Sequence, residues 1–515
     1  MNITYLIDRA AIETPDAPAI LYDEGAAVDW ATLVGRIGRL AAALATRGIG
    51  ASDRIALLAP NRPAFLEILL ATARLGAVIV PLNYRLAPAE LRFQLEDADC
   101  ALWFVDAEFA EPAAETGIDL PAVTVGPGEQ AGELDAMIEG APAALDLTPV
   151  APDHPLGIFY TGGTTGLPKG VVLTHQNMLS NATHIAPRLG HSPNDVHLHA
   201  GPMFHLADLA GIFGQLLGGG AHCFLPKFEP EGLFAAIERL RVTTTTLAPT
   251  MLDMALRGRV AEAHDLSSLR LILYGGSPIT DAVLARAFEA FSCDIVQGYG
   301  QTEATQTITL MPAEDHRRAA EEPALLRSCG KPIDGVQVRI AGPDGATVAE
   351  GEIGEVLVRG PTVMKEYWRR KEETAQALAG GWLHTGDLAR RDASGYLYLV
   401  DRRKDMIVTG AENVFSTEVE NALASHPDVV EVAVVGVPDE RYGERVHAVV
   451  VLARGAPGRG TDEAVLQAHC REQIGGYKIP RSFEFIAELP KSAAGKIRKA
   501  ELRAPHWEGH GRQVG

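Results

Sequence analysis

A chain of 515 residues with 47% hydrophobic and 22% charged side chains is too long for one core, and at least two domains are expected. Its formal net charge of -20 excludes a broad electrostatic attraction to nucleic acid or to an anionic membrane surface, because both need a positive field. The apolar stretch Phe65 to Leu82 is interrupted by Glu67 and Arg74, so it does not read as a transmembrane segment, and no basic-then-apolar leader surrounds Asp8 and Arg9; a cytoplasmic location is expected.

Asp29 is placed to cap a helix carrying Leu33, Ile37, Leu40 and Leu44 on one face, which stops at Gly48 before a strand at Arg54 to Leu58. A second helix starts at Pro63 and ends at Leu75 and Gly76, leading into the apolar run Ala77 to Leu82, another helix and the strand Ala101 to Val105. This rhythm predicts an α/β fold with parallel sheets. From about Gly335 the pattern changes to short antiparallel strands with a turn at Gly342 to Gly345, forming a small β subdomain. After the charged connector Asp401 to Asp405, the remaining chain reads as a separate α+β domain of roughly a hundred residues. The expected division is therefore a large N-terminal domain, residues 1–401, of βα-layered sheets plus the antiparallel subdomain, and a C-terminal domain, 402–515. Its tail from about 505 is expected to lack order. Cys100, Cys223, Cys293, Cys329 and Cys470 are too scattered for a disulfide framework or a zinc ribbon and read as reduced thiols.

The strongest chemical signal is Tyr160-Thr161-Gly162-Gly163-Thr164-Thr165-Gly166-Leu167-Pro168-Lys169-Gly170, set between the apolar segments Leu156 to Tyr160 and Val171 to Leu173. Glycines let backbone N–H groups face an anion, threonine hydroxyls add donors and Lys169 adds charge, so the segment is a phosphate cradle. It is not the P-loop of switch NTPases, because that spacing cannot be laid onto it and a strand follows it. Three further blocks end apolar runs or sit on turns. Gly275-Gly276-Ser277-Pro278 offers bare backbone to a flat purine. Gly298-Tyr299-Gly300-Gln301-Thr302-Glu303 offers an aromatic face, a hydroxyl and a hard carboxylate oxygen. Trp382-Leu383-His384-Thr385-Gly386-Asp387 puts a carboxylate on a turn where sugar hydroxyls can reach it.

Together with Arg402 and the C-terminal Pro490-Lys491-Ser492-Ala493-Ala494-Gly495-Lys496, these blocks resemble the acyl-CoA synthetase, adenylation-domain and firefly-luciferase superfamily, closest to fatty acyl-CoA and arylacid-CoA ligases. The resemblance covers nearly the whole chain. It implies ATP, Mg²⁺ and coenzyme A as the small molecules used, an acyl-AMP intermediate, and a C-terminal domain that moves as a lid about a hinge at Lys404. It assigns catalysis to Lys496, Thr164, Glu303 and His205, with Glu303 and Thr164 as the Mg²⁺ ligands. Nucleotide or coenzyme contacts fall to Thr161, Gly162, Gly163, Thr165, Gly166, Lys169, Gly275, Gly276, Ser277, Gly298, Tyr299, Gly300, Thr302, Asp387, Arg402 and Gly410. Gly162 stands where many relatives have Ser. Ser416, after the Gly410 loop that lines the thiol tunnel, stands where the family usually has Pro, so a less rigid loop is expected.

Pro202 to Leu209 resembles the acyl-pocket segment, with His205 near the acyl carboxylate; amino-acid-activating domains place Asp there, which argues against an amino acid substrate. Asp208 is expected to cap a helix. Met203, Leu206, Leu209, Gly211, Thr250, Met251, Thr305, Gln306 and Thr307 give a mixed apolar and hydroxyl-bearing pocket, open to fatty or aromatic acids. His184, His191, His197, His199 and His205 crowd one region, His197 and His199 sharing a strand face, without a third ligand spaced for a metal. The expected partners are a carboxylic acid, ATP and coenzyme A, with no nucleic acid; a homodimer is compatible with the sequence. Loading the acyl group onto a carrier protein is the alternative acceptor chemistry.

Overall fold

The computed structural model describes residues 2–22, 26–126, 132–142, 150–161, 168–258, 260–277, 279, 281–319, 321–409, 412–439, 441–453, 460–491 and 497–508. The chain divides into two compact units, one of Met1–Val338 with Val358–Leu383 and the other of Arg339–Leu357 with His384–Gly515.

The first unit contains two sheets whose strands follow the predicted rhythm. Asp29 accepts the Thr32 N–H and caps helix Trp30–Thr46, while Gly76, with φ of 76°, ends helix Pro63–Leu75 in the left-handed conformation that glycine tolerates. Strands Arg54–Leu58, Val78–Pro81, Cys100–Asp106, Ala122–Val125 and Pro155–Thr161 pair in parallel; Lys169–Thr174 and Glu366–Tyr367 extend this sheet antiparallel, giving seven strands. The other sheet has nine strands. Its parallel centre runs through Pro18–Leu21, Ala221–Phe224, Val196–His199, Thr244–Leu247, Leu271–Gly275 and Asp294–Tyr299. Leu198, Phe234, Ile272, Leu284 and Ile295 fill one side of it, and burial of each such side chain contributes roughly 1.5–3 kcal/mol. Asn61, just beyond the end of Arg54–Leu58, donates to the carbonyls of His199 (2.8 Å) and Gly201 (2.6 Å) and accepts the Met203 N–H (2.9 Å). One buried amide therefore ties the carboxyl ends of a strand from each sheet, the edge at which parallel α/β folds place their ligands.

The second unit carries an antiparallel sheet ordered Gln337–Ala341, Gly354–Arg359, Leu383–Arg391, Leu397–Arg402, and a five-stranded sheet whose long pair is Val429–Asp439 and Gly443–Leu452. Ile407, Val414, Val419, Leu423, Val434, Val446 and Leu466 form its core. The tail is better ordered than expected: Ala504–His506 is a 3-10 turn and the Trp507 indole donates to the Gly436 carbonyl at 3.0 Å, so residues 505–508 are anchored. The five cysteines are free thiols, with Cys223, Cys329 and Cys470 buried. Among the described residues no helix is long and apolar enough to cross a membrane.

Candidate active site

Gly162, Gly163, Thr164, Thr165 and Gly166 lie outside the described residues, but both flanks of their loop are placed. Thr161 pairs with Lys169 across the antiparallel turn, and Tyr367 pairs with Val171 on the other side of the second strand. This register brings the Lys169 ammonium over the Tyr367 ring, 5.2 Å from its centre, a cation–π contact. The Tyr367 hydroxyl donates to Glu303 Oε1 at 2.9 Å. Burial, then the charge and hydrogen bond of Glu303, raise the Tyr367 pKa, so the phenol stays protonated and keeps donating. The Glu303 backbone is held too, its carbonyl accepting the Met364 N–H at 2.8 Å. One phenol thus links the cation beside the phosphate loop to the carboxylate of the Gly298 block. Nothing in the sequence around Tyr367 marks it; only the strand pairing does.

The other residues of this unit that the resemblance assigns to the nucleotide sit at adjacent strand ends. Gly275 pairs with Gly298, and a Cβ on Gly275 would run into the Gly298 carbonyl; one on Gly300 would run into the Gln306 carbonyl. Side chains are therefore excluded from both positions by backbone packing. Tyr299 is buried, and Gly276, Ser277 and Thr302 keep surface exposure. Thr305 and Gln306 adopt φ of 52° and 78°, a conformation costing of order 1–3 kcal/mol each outside glycine. Asn181 holds the Thr305 carbonyl (2.5 Å), Thr305 Oγ1 donates to the Thr362 carbonyl (2.5 Å), and Gln306 Nε2 donates to the Ala207 carbonyl (2.8 Å).

On the side of the acyl-pocket segment, His205 is the residue preceding helix Leu206–Gly218, and its ring lies 4.4 Å from that of Phe204. Asp208 does not cap this helix. It lies within the first turn, buried, and accepts from His199 Nδ1 at 2.6 Å and from the Gly201 N–H at 3.0 Å. His199 Nε2 in turn meets His222 Nδ1 at 3.0 Å, so the imidazoles form a buried relay that fixes the helix start. Among the described residues the crowded histidines do not bring three ligand atoms together for a metal. Of the nine residues expected to line an acyl pocket, Gly211 and Gln306 line a narrow cavity with His191, His197, Gly214 and Thr244, while Met203, Leu206, Leu209, Thr250, Met251, Thr305 and Thr307 do not line it.

In the second unit, Asp387 pairs with Arg402 across two antiparallel strands, and the guanidinium lies 3.3 Å from the carboxylate. Asp387 therefore lies within strand Leu383–Arg391 and not on the expected turn; Gly386 before it has φ 72°, and its N–H is held by Glu355 at 3.1 Å. Lys404 follows; its carbonyl accepts from Arg503 at 2.9 Å, and burial lowers its ammonium pKa. Gly410 and Lys496 lie outside the described residues, the latter between Lys491 and Ile497, which bridge antiparallel. Ser416 opens helix Ser416–Ala424. It is fully buried, and both its N–H (2.5 Å) and hydroxyl (2.8 Å) donate to Asp401, while Lys499 donates to its Oγ at 2.7 Å.

The model of the AMP-binding enzyme family matches residues 7–368, and that of the AMP-binding enzyme C-terminal domain matches 418–496. The chain is 41% identical over 500 residues to a feruloyl-CoA synthase of Amycolatopsis, covering 96% of this chain and 97% of that one. It is 37% identical to a medium/long-chain-fatty-acid–CoA ligase of Mycobacterium tuberculosis over 94% of this chain and 86% of the relative. Among solved structures, ATP-bound MatB from Rhodopseudomonas palustris superposes with a TM-score of 0.89 at 31% identity, covering 99% of this chain and 100% of the other.

Proposed function

Because the chain belongs to the AMP-binding enzyme family, we propose a division of labour among its residues for the reaction of that family's acid–thiol ligases. The enzyme is an AMP-forming acyl-CoA synthetase: a fatty or aromatic carboxylate attacks the α-phosphorus of ATP, pyrophosphate leaves, and the thiol of coenzyme A then displaces AMP from the acyl-AMP. The observation that carries the assignment of residues is the Lys169–Tyr367–Glu303 link beside the phosphate loop.

Attack of a carboxylate on a phosphate brings two anions together, so the protein's task is to neutralise charge and hold the line of attack. Lys169, with Thr161 and the N–H groups and hydroxyls of Gly162, Gly163, Thr165 and Gly166, grips the β- and γ-phosphates. The Gly275-Gly276-Ser277 edge and the Tyr299 ring take the adenine, Gly298 and Gly300 keep that face free of side chains, and the Thr302 hydroxyl meets the α-phosphate. Asp387 accepts from the ribose hydroxyls with Arg402 beside it. His205 positions the acyl carboxylate. The Glu303 carboxylate, a hard oxygen donor in a site built for phosphates, fits Mg²⁺ together with the Thr164 hydroxyl; when bound, the ion supplies further neutralisation of phosphate charge.

Lys496 stabilises the charge that builds during adenylation. The domain beginning at residue 402 turns about Lys404 to replace the Lys496 loop with the Gly410 loop for the thiol step. A cytoplasmic setting, where ATP and coenzyme A are both available, suits this chemistry. The test is Lys496→Ala. Acid-dependent pyrophosphate release should fall at least about 10²-fold, while conversion of supplied acyl-AMP to acyl-CoA stays within a few-fold of wild type. Equal loss of both half-reactions would contradict the assignment.

A further inference from the structure

One face of the five-stranded sheet in the second unit carries side chains that the ligase chemistry does not use. Strand Gly443–Leu452 pairs in parallel with Ser482–Phe485, His447 standing opposite Ser482 and Val449 opposite Glu484. Strand alternation puts His447 on the face of Val449 and turns Val446, Ala448 and Val450 into the core on the other side. Val449 packs with Leu489, and Leu502 of helix Lys499–Arg503 packs against them. The C-terminal segment therefore crosses this face, and its next turn, Ala504–His506, brings the His506 ring to 4.9 Å from that of His447.

His447, Glu484 and His506 each bring one ligand atom to within 4.8 Å of the others, and among the described residues no other three His, Cys, Asp or Glu side chains do so. His447 is 4% exposed, and its Nε2 is buried without a hydrogen-bond partner among the described residues, the Glu484 carboxylate standing off at 3.9 Å. A buried ring nitrogen left unpaired costs stability unless something binds it. Nδ1 lies 2.8 Å from Ser482 Oγ, which can accept the ring proton and so leave Nε2 with the free lone pair, the arrangement that metal-bound histidines use.

The donor set selects the ion. Two imidazoles and one carboxylate suit Zn²⁺, whereas Mg²⁺ and Ca²⁺ take oxygen ligands. Ligands held at roughly 2.0–2.2 Å in a tetrahedron stand roughly 3.4 Å apart. The closure needed from 4.8 Å falls to Glu484, whose side chain is 53% exposed, and to half-buried His506; both can turn without disturbing the sheet. These two also form the solvent side of the group, so an ion reaches Nε2 between them.

We propose that His447, Glu484 and His506 bind one Zn²⁺ ion, with water in the fourth position, and that the ion fastens the C-terminal tail to the sheet. The site is structural and goes beyond the ligase reading, on which it does not depend.

The experiment titrates full-length protein, freed of metal by a chelator, with Zn²⁺ in the presence of millimolar Mg²⁺. Wild type is expected to take up one equivalent with a Kd of about 1 µM or tighter, and its thermal midpoint should rise as it does so. Co²⁺ in place of Zn²⁺ should give the visible absorption of a low-coordinate ion. Glu484→Gln and His506→Gln change surface-facing side chains and leave buried His447 in place, so folding is not at risk. Each should weaken binding at least about 10-fold, since even partners outside the ligand shell are worth about 10- to 100-fold, and each should abolish the zinc-dependent rise in midpoint. His469→Gln, which removes a histidine outside the group, should change neither. A wild type that binds no Zn²⁺ below about 100 µM, or an affinity left unchanged by Glu484→Gln or by His506→Gln, would overturn the proposal.

Discussion

Tyr367 shows how much a single side chain can organise. Its ring lies under Lys169 and its hydroxyl holds Glu303, so it orders the cation and the carboxylate proposed to serve the reaction. Tyr367→Phe keeps the ring and removes the donor. We predict a fall of about 10-fold or more in acid-dependent pyrophosphate release, the worth of a hydrogen bond to a charged group, with little change in thermal midpoint. Unchanged pyrophosphate release would show that Glu303 does not depend on the phenol. Asp208 makes the opposite point. Three positions into a helix it reads as a capping residue, and only the return of strand Val196–His199 beside it reveals its partners, His199 and the Gly201 N–H.

At the scale of elements, the strands Arg54–Leu58 and Cys100–Asp106 and the Asp29 cap were legible because apolar periodicity and capping chemistry are local. The glycine-rich blocks were legible for the same reason. Strand order was not: the pairing of Glu366–Tyr367 with Lys169–Thr174 joins segments nearly two hundred residues apart, and no periodicity encodes it. Hence Lys169 and Glu303 could be singled out as candidates from sequence, but the phenol joining them could not. The Gly410 segment also illustrates a local rule overridden by tertiary contacts. Proline at position 416 would be expected to stiffen the loop, yet Ser416 gives its N–H to buried Asp401, a bond proline cannot make. Ser416→Pro is therefore predicted to destabilise the protein by about 1–3 kcal/mol, read as a lower denaturant midpoint; an increase would show that backbone restriction outweighs the lost bond.

At the scale of the whole molecule, buried neutral histidines set a pH dependence. Burial lowers the pKa of His175 to about 4, with His154 adding to the effect, and burial lowers that of His191 to about 4 against the partly cancelling charges of Asp195 and Arg270. Between the ordinary histidine range near 6.5 and pH 4 the unfolded chain binds these protons and the folded chain does not. The contribution of these two groups to stability therefore falls as pH falls through that window, by up to about 1.4 kcal/mol per pH unit for each group. Urea midpoints at pH 7 and pH 5 measure it, and His191→Gln should flatten the slope. The same change in midpoint between pH 7 and pH 5 in wild type and in His191→Gln would contradict the assignment.

The match to the AMP-binding enzyme family and to acid–CoA ligases over nearly the whole chain points to a single chemical task, activation of a carboxylic acid by ATP before transfer to a thiol. The most direct measurement incubates the purified protein with ATP, magnesium, coenzyme A and a panel of fatty and aromatic acids, following pyrophosphate, AMP and thioester together. Acid-dependent pyrophosphate release without coenzyme A, and stoichiometric AMP and acyl-CoA on its addition, is the predicted result. ATP consumption that yields ADP and phosphate, or no acid-dependent pyrophosphate with any member of the panel, would contradict the account.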